Sequence, residues 1–253
     1  MSRPFHFGRF VIQQSRSLFK VTSDATLFAC WIEPPALVGT LADLGAGSGV
    51  LSCILKDRFQ HLIPYCIEID ANSAADCIEN LSSFQVSPSH VAIQDYHNPW
   101  PYNWPKKYSM VVANPPFFHN DLRNSDPNLA RTRHVNRDEL QKFYSLCGQR
   151  LHDYGILYVM IPTRYSAEHE ASAKGHGFYL TRKAIVRTKP RKNPRITLLA
   201  FCYSEPTCLV KEEEITIFTE EGAFTPSYKA LVQDCYSEYY FCRQAQFLSG
   251  FNC

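Results

Sequence analysis

Leu41-Ala42-Asp43-Leu44-Gly45-Ala46-Gly47-Ser48-Gly49 is a short apolar run that leads into three glycines at alternating positions. The apolar part predicts a buried strand, and the residues from Val50 to Asp57 predict a helix directly behind the glycines. Glycine permits a tight turn with positive φ and lets a ligand approach the main chain closely. Because the start of a helix also presents unpaired N–H groups, the stretch predicts a site for a cofactor with an anionic group.

The same alternation of strand and helix continues along the chain. Further strands are predicted at Leu62 to Ile69, His90 to Gln94, Tyr108 to Ala113, Tyr154 to Ile161, Phe178 to Val186 and Ile196 to Tyr203. Helices are predicted at Ala71 to Ser82, Arg137 to Leu151 and Ala167 to Lys174, with a polar excursion at His119 to Asn136. Together they predict an α/β fold, a Rossmann-like, seven-stranded and mostly parallel sheet with helices on both faces.

The two ends of the chain flank this core. Phe5 to Val11 alternates aromatic and polar residues, which predicts a short strand or hairpin, and Ala25 to Trp31 predicts a helix with Asp24 as its N-cap. Near the end, Ile215 to Phe218 predicts a strand, and Ser227 begins a helix whose apolar stripe favours packing over RNA stacking. We therefore expect a single domain, 1–253, made of an N-terminal arm (1–35), the Rossmann-like core (36–205) and a C-terminal strand and helix packed on it (206–253).

The composition excludes several classes of protein. The chain has 253 residues and 45% hydrophobic content, enough for one large core, and its net charge of +2 means that any basic footprint must be local. Nowhere do 18 apolar residues run together, and the N-terminus has no apolar run typical of a signal peptide. The ten cysteines form no Cys-x-x-Cys spacing. They indicate buried thiols in a cytoplasmic protein, with no metal and no membrane partner.

The spacing of the glycines bears on the kind of cofactor. Dinucleotide sites use Gly-x-Gly-x-x-Gly, whereas Gly45, Gly47 and Gly49 follow one another at every second position. The acidic residue before the first glycine, Asp43, suits S-adenosylmethionine better, since that cofactor carries an amine and a sulfonium. A nicotinamide dehydrogenase is disfavoured because no proton-relay residue accompanies the loop.

Acidic residues at the ends of the next two strands complete the predicted cofactor site. Glu68 can accept both ribose hydroxyl protons, and Ile69 beside it is assigned to the same site. Asp70 has two interpretations, since it can belong to this site or cap the helix that follows. Asp95 is placed to accept a hydrogen bond from the adenine amino group, and a plain solvated turn is the alternative.

Asn114-Pro115-Pro116-Phe117 directly follows the strand Tyr108 to Ala113. The prolines end strand pairing and stiffen the exit. The ligand crevice of an open α/β sheet lies outside such carboxyl ends, so the turn can aim an amide, a carbonyl and an aromatic ring at one planar substrate. An ordinary loop is the alternative, because Asn-Pro commonly starts turns. The sites predicted on the preceding strand ends favour a substrate site.

Taken together, the glycine loop, Glu68, Asp95 and Asn114 to Phe117 resemble class I methyltransferases that act on planar amino or amide nitrogens. The resemblance implies catalytic roles for three residues. The Asn114 side-chain oxygen and the Pro115 carbonyl would accept the two N–H groups and draw the nitrogen toward tetrahedral geometry. Phe117 would stack on the extruded base. Alignment with the cofactor's methyl group then removes the need for a general base.

A closer resemblance covers nearly the whole chain. Phe7 to Phe10, Phe19 to Trp31, Arg131 to Leu140 and Tyr228 to Tyr240 are similar to stretches of the bacterial tRNA(Val) adenine-37 N6-methyltransferases. The resemblance implies S-adenosylmethionine as cofactor, a tRNA anticodon loop as partner and N6-methyladenosine as product, and we expect a monomer. It also places Lys20 and Asp24 over the cofactor. The family has a Gly-Thr-Asp-Gly core there, whereas this chain has Thr22-Ser23-Asp24-Ala25 and lacks both glycines.

A basic run offers a local RNA footprint. Seven basic residues and no acidic ones lie between positions 182 and 195: Arg182, Lys183, Arg187, Lys189, Arg191, Lys192 and Arg195. The last five are predicted RNA contacts, although a solvated face is the alternative. Arg131, Arg133 and His134 are a second candidate set with a weaker signal, because acidic residues surround them.

Three alternatives stay open beside the tRNA enzyme. A ribosomal RNA guanine-N2 methyltransferase shares Asn-Pro-Pro-Phe, but such enzymes often carry an extra domain before the glycine loop, and only 42 residues precede Asp43. The methyltransferase that acts on glutamine of release factors has the similar motif Asn-Pro-Pro-Tyr. It is disfavoured because that enzyme carries a helical N-terminal domain, for which the residues before Asp43 leave no room. The third alternative is not an enzyme: an inactive RNA adaptor that binds the cofactor. The intact Asn114, Pro115 and Phe117 argue against it.

Overall fold

In the computed structural model, residues 3–33, 39–114, 129–206 and 209–236 are described, and for 129–136 the backbone alone. A short antiparallel hairpin of β1 (Phe5–His6) and β2 (Val11–Ile12) precedes the main sheet. The main strands are β3 (Thr40–Leu44), β4 (Ile63–Glu68), β5 (Val91–Ile93), β6 (Tyr108–Ala113), β7 (Leu151–Pro162), β8 (Tyr179–Arg187), β9 (Ile196–Cys202) and β10 (Lys211–Thr216).

These strands form one sheet in the order β10-β8-β9-β7-β6-β3-β4-β5. Every neighbouring pair is parallel except those of β9, which is antiparallel to both β7 and β8. The Rossmann-like fold class is confirmed. The predicted strand count of seven is wrong for the described residues, which give eight, because β10 pairs with β8 instead of only packing on the core. The predicted strand at Ile215 to Phe218 missed the first half of β10, which is mostly acidic and is stabilised beside the basic residues of β8.

Six helices are described: α1 (Ser23–Trp31), α2 (Val50–Arg58), α3 (Ala71–Ser82), α4 (Leu129–Arg150), α5 (Ser166–Gly175) and α6 (Pro226–Val232). Two expectations about helix starts are wrong. α4 begins at Leu129 rather than Arg137, because the segment before Arg137 is mostly polar and its few apolar residues show no helical period. The N-cap of α1 is Thr22, whose hydroxyl accepts from Ala25 N at 3.2 Å, while Asp24 lies in the first turn.

The core lies on both faces of the sheet, as the alternation of side chains along a strand requires. β6 is central and every one of its residues is buried. Met110 and Val112 join the cluster that includes α1, α2 and α6, whereas Val111 and Ala113 join the cluster that includes α4. Among the described residues, no helix combines the length and apolar character needed to cross a membrane.

The N-terminal arm is held along α3 by two polar side chains. The carboxylate of Asp76 is fully buried and accepts hydrogen bonds from the Ser17 N–H at 2.8 Å, the Ser17 hydroxyl at 2.7 Å and Arg16 Nε at 2.7 Å. Burial would raise the pKa of Asp76, but these hydrogen bonds outweigh it and hold the pKa below its usual value. Asn80 donates to the carbonyls of Gln13 and Ser48 and so connects the arm to the glycine loop.

The C-terminal helix packs against the same arm. Tyr228 and Val232 of α6 and the following Cys235 and Tyr236 are buried, which confirms that the apolar stripe is a packing surface. Gly8 N donates to the Cys235 carbonyl at 2.9 Å, so the two ends of the described chain meet on one side of the core. Tyr239, the last residue of the predicted stripe, lies outside the described residues.

Candidate functional site

The site is organised by the edge at which β3, β4, β5 and β6 end, called here the carboxyl edge. In the strand register, Leu44 is level with Ile67 on one side and Ala113 on the other, and Glu68 is level with Ile93. Neighbouring strands lie about 4.8 Å apart. The glycine loop, Glu68 and Asn114 therefore leave adjacent strands at one level, with the glycine loop in the middle.

The glycine loop has the backbone geometry that the sequence predicts. Gly45, Gly47 and Gly49 have φ of 73°, 57° and 77°, which L-residues with a side chain rarely adopt. A Cβ at Gly45 or Gly47 would meet nothing within 4 Å, whereas one at Gly49 would lie 2.7 Å from the Cys77 sulfur. The first two glycines thus border open space suited to a ligand, and the third permits close packing of the loop on α3.

Replacing Gly49 by alanine should destabilise the fold by about 2–4 kcal/mol, because a left-handed φ and a clash with Cys77 act together. Thermal unfolding measures the effect. Gly175→Ala is the matched control: it adds the same methyl group to the last turn of α5, where nothing lies within 4 Å, and should change stability by less than about 1 kcal/mol. Equal melting temperatures for the two variants would contradict the packing role of Gly49.

The start of α2 is a second feature that suits an anionic group of a ligand. Its N-cap is Gly49, which supplies no side-chain hydrogen bond to the first turn. The first N–H groups of a helix have no partner within the helix, and the helix dipole favours negative charge near them. A carboxylate or phosphate of a cofactor would satisfy these donors.

Glu68 connects the glycine loop to the end of β4. Its side chain is buried, with Oε2 accepting from Gly47 N at 2.7 Å and Oε1 accepting from Asp70 N at 2.8 Å. Each carboxylate oxygen accepts more than one hydrogen bond, so both keep capacity for ribose hydroxyls. Asp70 accepts from Ser73 N at 2.7 Å, which confirms the capping interpretation for that residue.

Asp43 is a buried carboxylate below the loop. Its Oδ2 accepts from the Ser52 hydroxyl at 2.7 Å, and its Oδ1 has no hydrogen-bond partner among the described residues. Burial raises the pKa of Asp43 to about 7, an increase that the Ser52 hydrogen bond opposes and the nearby Glu68 charge reinforces. A cationic group bound in this crevice would stabilise the ionised carboxylate, so the residue fits a cofactor that carries an amine and a sulfonium.

The remaining predicted cofactor residues have different surroundings. Asp95 Oδ1 accepts from His97 N at 2.8 Å, so one of its oxygens stabilises the turn after β5. Ile69 is 69% exposed at the end of β4, an apolar surface at the rim of the crevice. Lys20 Nζ donates to the carbonyls of Gln14 and Ser17, both at 2.6 Å, and so holds the bend of the arm. Asp24 is paired with Arg195.

Of the predicted acceptor site, the structure places Asn114. This residue is exposed and follows β6 at the carboxyl edge, next to the glycine loop. Pro115 and Phe117 lie outside the described residues, as do the side chains of Arg131, Arg133 and His134.

The five predicted RNA contacts lie at the carboxyl edge. Pro162 of β7 and Val186 of β8 are both level with Ile196 of β9, so the connection from Arg187 to Arg195 leaves and re-enters the sheet at that edge. Some of its charge is neutralised locally: Arg187 lies 3.1 Å from Glu214, Arg191 lies 3.7 Å from Glu220, and Lys189 donates to the Glu220 carbonyl. Lys192 is exposed.

Sequence reasoning missed one basic residue in this region. Arg164 is exposed in the short turn after β7, at the same edge as Asn114. The neighbouring Thr163 N donates to the Arg195 carbonyl at 3.1 Å. This hydrogen bond joins the turn to the segment from Arg187 to Arg195, called here the basic connection. The rule that singled out Asn114, a polar residue directly after a parallel strand, would have found Arg164 as well. In the described ranges, no group of three or more His, Cys, Asp or Glu side chains is arranged to hold a metal ion.

Comparison with known families gives a match over more than half of the chain. Residues 20–168 match the family model described as the methyltransferase small domain. This segment includes α1, the glycine loop, Glu68, Asp95 and Asn114.

Similar full-length relatives share one name, tRNA1(Val) (adenine(37)-N6)-methyltransferase. The protein of Bacteroides fragilis is 28% identical over 238 residues, covering 93% of this chain and 99% of its own length. The protein of Trichodesmium erythraeum is 27% identical over 241 residues, covering 93% of this chain and 98% of its own length. That of Cronobacter sakazakii is 25% identical over 236 residues, covering 92% and 94%.

Solved structures agree on the fold. A predicted O-methyltransferase of Agrobacterium tumefaciens superposes with a TM-score of 0.61 at 15% identity, covering 83% of this chain and 95% of that one. A methyltransferase of Pyrococcus furiosus gives 0.51 at 10% identity, covering 72% and 82%. At these identities the likeness concerns the fold alone.

Proposed function

Because this chain belongs to the methyltransferase small domain family, we propose that it transfers the methyl group of S-adenosylmethionine to N6 of adenine-37 in tRNA1(Val). The observation that carries the proposal is the placement of the glycine loop, Glu68 and Asn114 on adjacent strand ends at one edge. The name shared by relatives similar over more than nine-tenths of the chain supports the choice of RNA and base.

The cofactor half of the site is built by β3 and β4. S-adenosylmethionine supplies an electrophilic methyl group when bound. Glu68 would accept the ribose hydroxyls while it keeps the Gly47 N–H in place, and the open space beside Gly45 and Gly47 would let the ligand contact the main chain. Asp43, which has one oxygen without a partner among the described residues, would favour the cationic groups.

The acceptor half is built by β6. The amino nitrogen of adenine is a poor nucleophile because its lone pair is delocalised into the ring. An Asn114 oxygen that accepts one N–H, with the Pro115 carbonyl accepting the other, would localise that lone pair, and Phe117 would stack on the base. Since β6 lies directly beside β3, the nitrogen and the methyl group would be held next to each other, and alignment supplies the rate enhancement.

Mass spectrometry of nucleosides tests this function. The protein is incubated with total tRNA lacking the modification and with cofactor labelled in the methyl group, and the RNA is then digested. We expect labelled N6-methyladenosine. Labelled N2-methylguanosine would instead favour the guanine-directed alternative, and cofactor binding without any labelled nucleoside would favour the inactive adaptor.

The basic connection should make RNA binding depend on salt. Changing Lys189, Arg191 and Lys192 together to Gln should weaken tRNA binding about 10- to 100-fold and reduce the slope of log affinity against log salt by about 2. Titrations at several salt concentrations measure both. The control changes Lys106, Lys107 and Lys174 to Gln, which removes the same charge at the opposite edge, before β6 and at the end of α5. If both triple variants gave the same slope, the connection would be an ordinary solvated surface.

A further inference from the structure

Two residues that the sequence assigns to different ligands are bound to each other. Asp24, a predicted cofactor residue, forms an ion pair with Arg195, a predicted RNA contact, across 171 positions of sequence. The Asp24 side chain is 14% exposed and that of Arg195 is 58% exposed. The pair therefore spans from the edge of the core to the solvent-facing basic connection.

Two features of Asp24 favour an exchange of its partner. It lies in the first turn of α1, where the helix dipole stabilises a carboxylate even without a neighbouring cation. Arg195 bonds to Oδ2, and Oδ1 is buried without a hydrogen-bond partner among the described residues. The carboxylate thus has an oxygen with capacity for another donor.

The main chain of Arg195 is held by hydrogen bonds, whereas its long side chain is largely exposed. Its N–H donates to the Val186 carbonyl at 2.9 Å, and its carbonyl accepts from Thr163 N at 3.1 Å. These bonds hold the residue between the ends of β8 and β7 at the carboxyl edge. From that position a long, largely exposed guanidinium can leave Asp24 and turn toward a phosphate, which it can bind with two parallel hydrogen bonds.

We propose that Asp24 and Arg195 form an exchangeable ion pair that makes cofactor binding and RNA binding mutually reinforcing. The inference rests on the proposed function, which supplies a cationic cofactor and a polyanionic substrate. A cationic cofactor group takes the place of Arg195 at Asp24, and the released guanidinium binds a backbone phosphate. Arg195 therefore binds RNA most strongly when the cofactor is present.

The size and sign of the coupling follow from linkage. Either ligand alone must break the pair, whereas both together break it once, so each raises the affinity of the other by the same factor. For a partly exposed pair we expect a factor of about 3 to 10. Removal of Arg195 relieves the cofactor of the same competition, so cofactor affinity without RNA should rise by the same factor of about 3 to 10.

Calorimetry on the full chain tests the proposal. The probe is the S-adenosylmethionine analogue with an amine in place of the methylsulfonium, which keeps the positive charge and transfers no methyl group. Its affinity is measured with and without a saturating tRNA1(Val) transcript. The variants are Arg195→Gln, the charge-conserving Arg195→Lys and the control Lys174→Gln, which removes one exposed positive charge at the opposite edge of the sheet, with melting temperatures measured for all.

In the wild type, tRNA should tighten analogue binding about 3- to 10-fold. Arg195→Gln should bind the analogue more tightly without RNA and should lose the response to tRNA. Arg195→Lys should keep at least part of that response, and Lys174→Gln should keep all of it. Weaker analogue binding by Arg195→Gln, or an unchanged response to tRNA, would overturn the proposal, because a purely structural pair predicts those results.

If the wild type forms N6-methyladenosine in tRNA but Arg195→Gln couples the two ligands as the wild type does, the exchangeable pair alone is wrong. A wild type that binds the analogue and no tRNA would overturn both.

Discussion

Replacing Asn114 by alanine should lower methyl transfer to tRNA by about 100- to 1000-fold, the loss expected when one group that stabilises the transition state is removed. Cofactor affinity should stay within about twofold, because Asn114 follows β6 whereas the predicted cofactor contacts lie on other elements. The side chain is exposed, so the melting temperature should not change. Single-turnover kinetics with labelled cofactor measure the rate, and calorimetry measures the affinity.

Asn114→Asp serves as the matched variant. It keeps an oxygen at the same position that can accept the N–H of the target nitrogen, so it should retain more activity than alanine. An alanine variant with a wild-type rate would exclude Asn114 from the acceptor site. Loss of cofactor binding together with activity would show that the residue holds the cofactor instead.

Replacing Glu68 by alanine should weaken cofactor binding about 100-fold. The change removes the acceptor for Gly47 N, which fixes the glycine loop, the acceptor for Asp70 N, and the proposed acceptor for the ribose. Binding of tRNA without cofactor should stay within about twofold. Calorimetric titration of the cofactor measures the effect.

Two further variants sharpen this prediction. Glu68→Gln should recover only part of the affinity, because one of its two oxygens becomes an NH₂ group that cannot accept from a backbone N–H. Glu168→Ala removes an exposed carboxylate from the first turn of α5 and should leave cofactor binding unchanged. If Glu68→Ala bound the cofactor as tightly as Glu168→Ala does, Glu68 would contribute to cofactor binding neither through the glycine loop nor through the ribose.

The fold was predictable where local pattern and tertiary structure agree. The buried strands around the glycine loop are apolar because both faces of a central parallel strand are covered, as β6 shows. Prediction failed where polar residues form regular structure. β10 begins with charged residues that pair beside Arg182 and Lys183, and the first two turns of α4 are mostly polar, so neither start carries a hydrophobic period.

Much of the candidate site was also predictable, because parallel strands end at one edge and polar residues after them must meet there. Gly45, Glu68 and Asn114 follow this rule. The pairing of Asp24 with Arg195 could not be predicted, since it depends on the reversal of β9 that brings the basic connection back to the same edge. No local pattern encodes a contact between such distant positions.

The claim that this chain methylates adenine-37 is tested most directly with two unmodified tRNA1(Val) transcripts that differ only in having adenine or guanine at position 37. Both are incubated with cofactor labelled in the methyl group, and the modified nucleotide is located by mass spectrometry of nuclease fragments. We predict one labelled N6-methyladenosine, at position 37 of the first transcript, and no label in the second. Equal labelling of both transcripts, or a methylated guanine, would contradict the account.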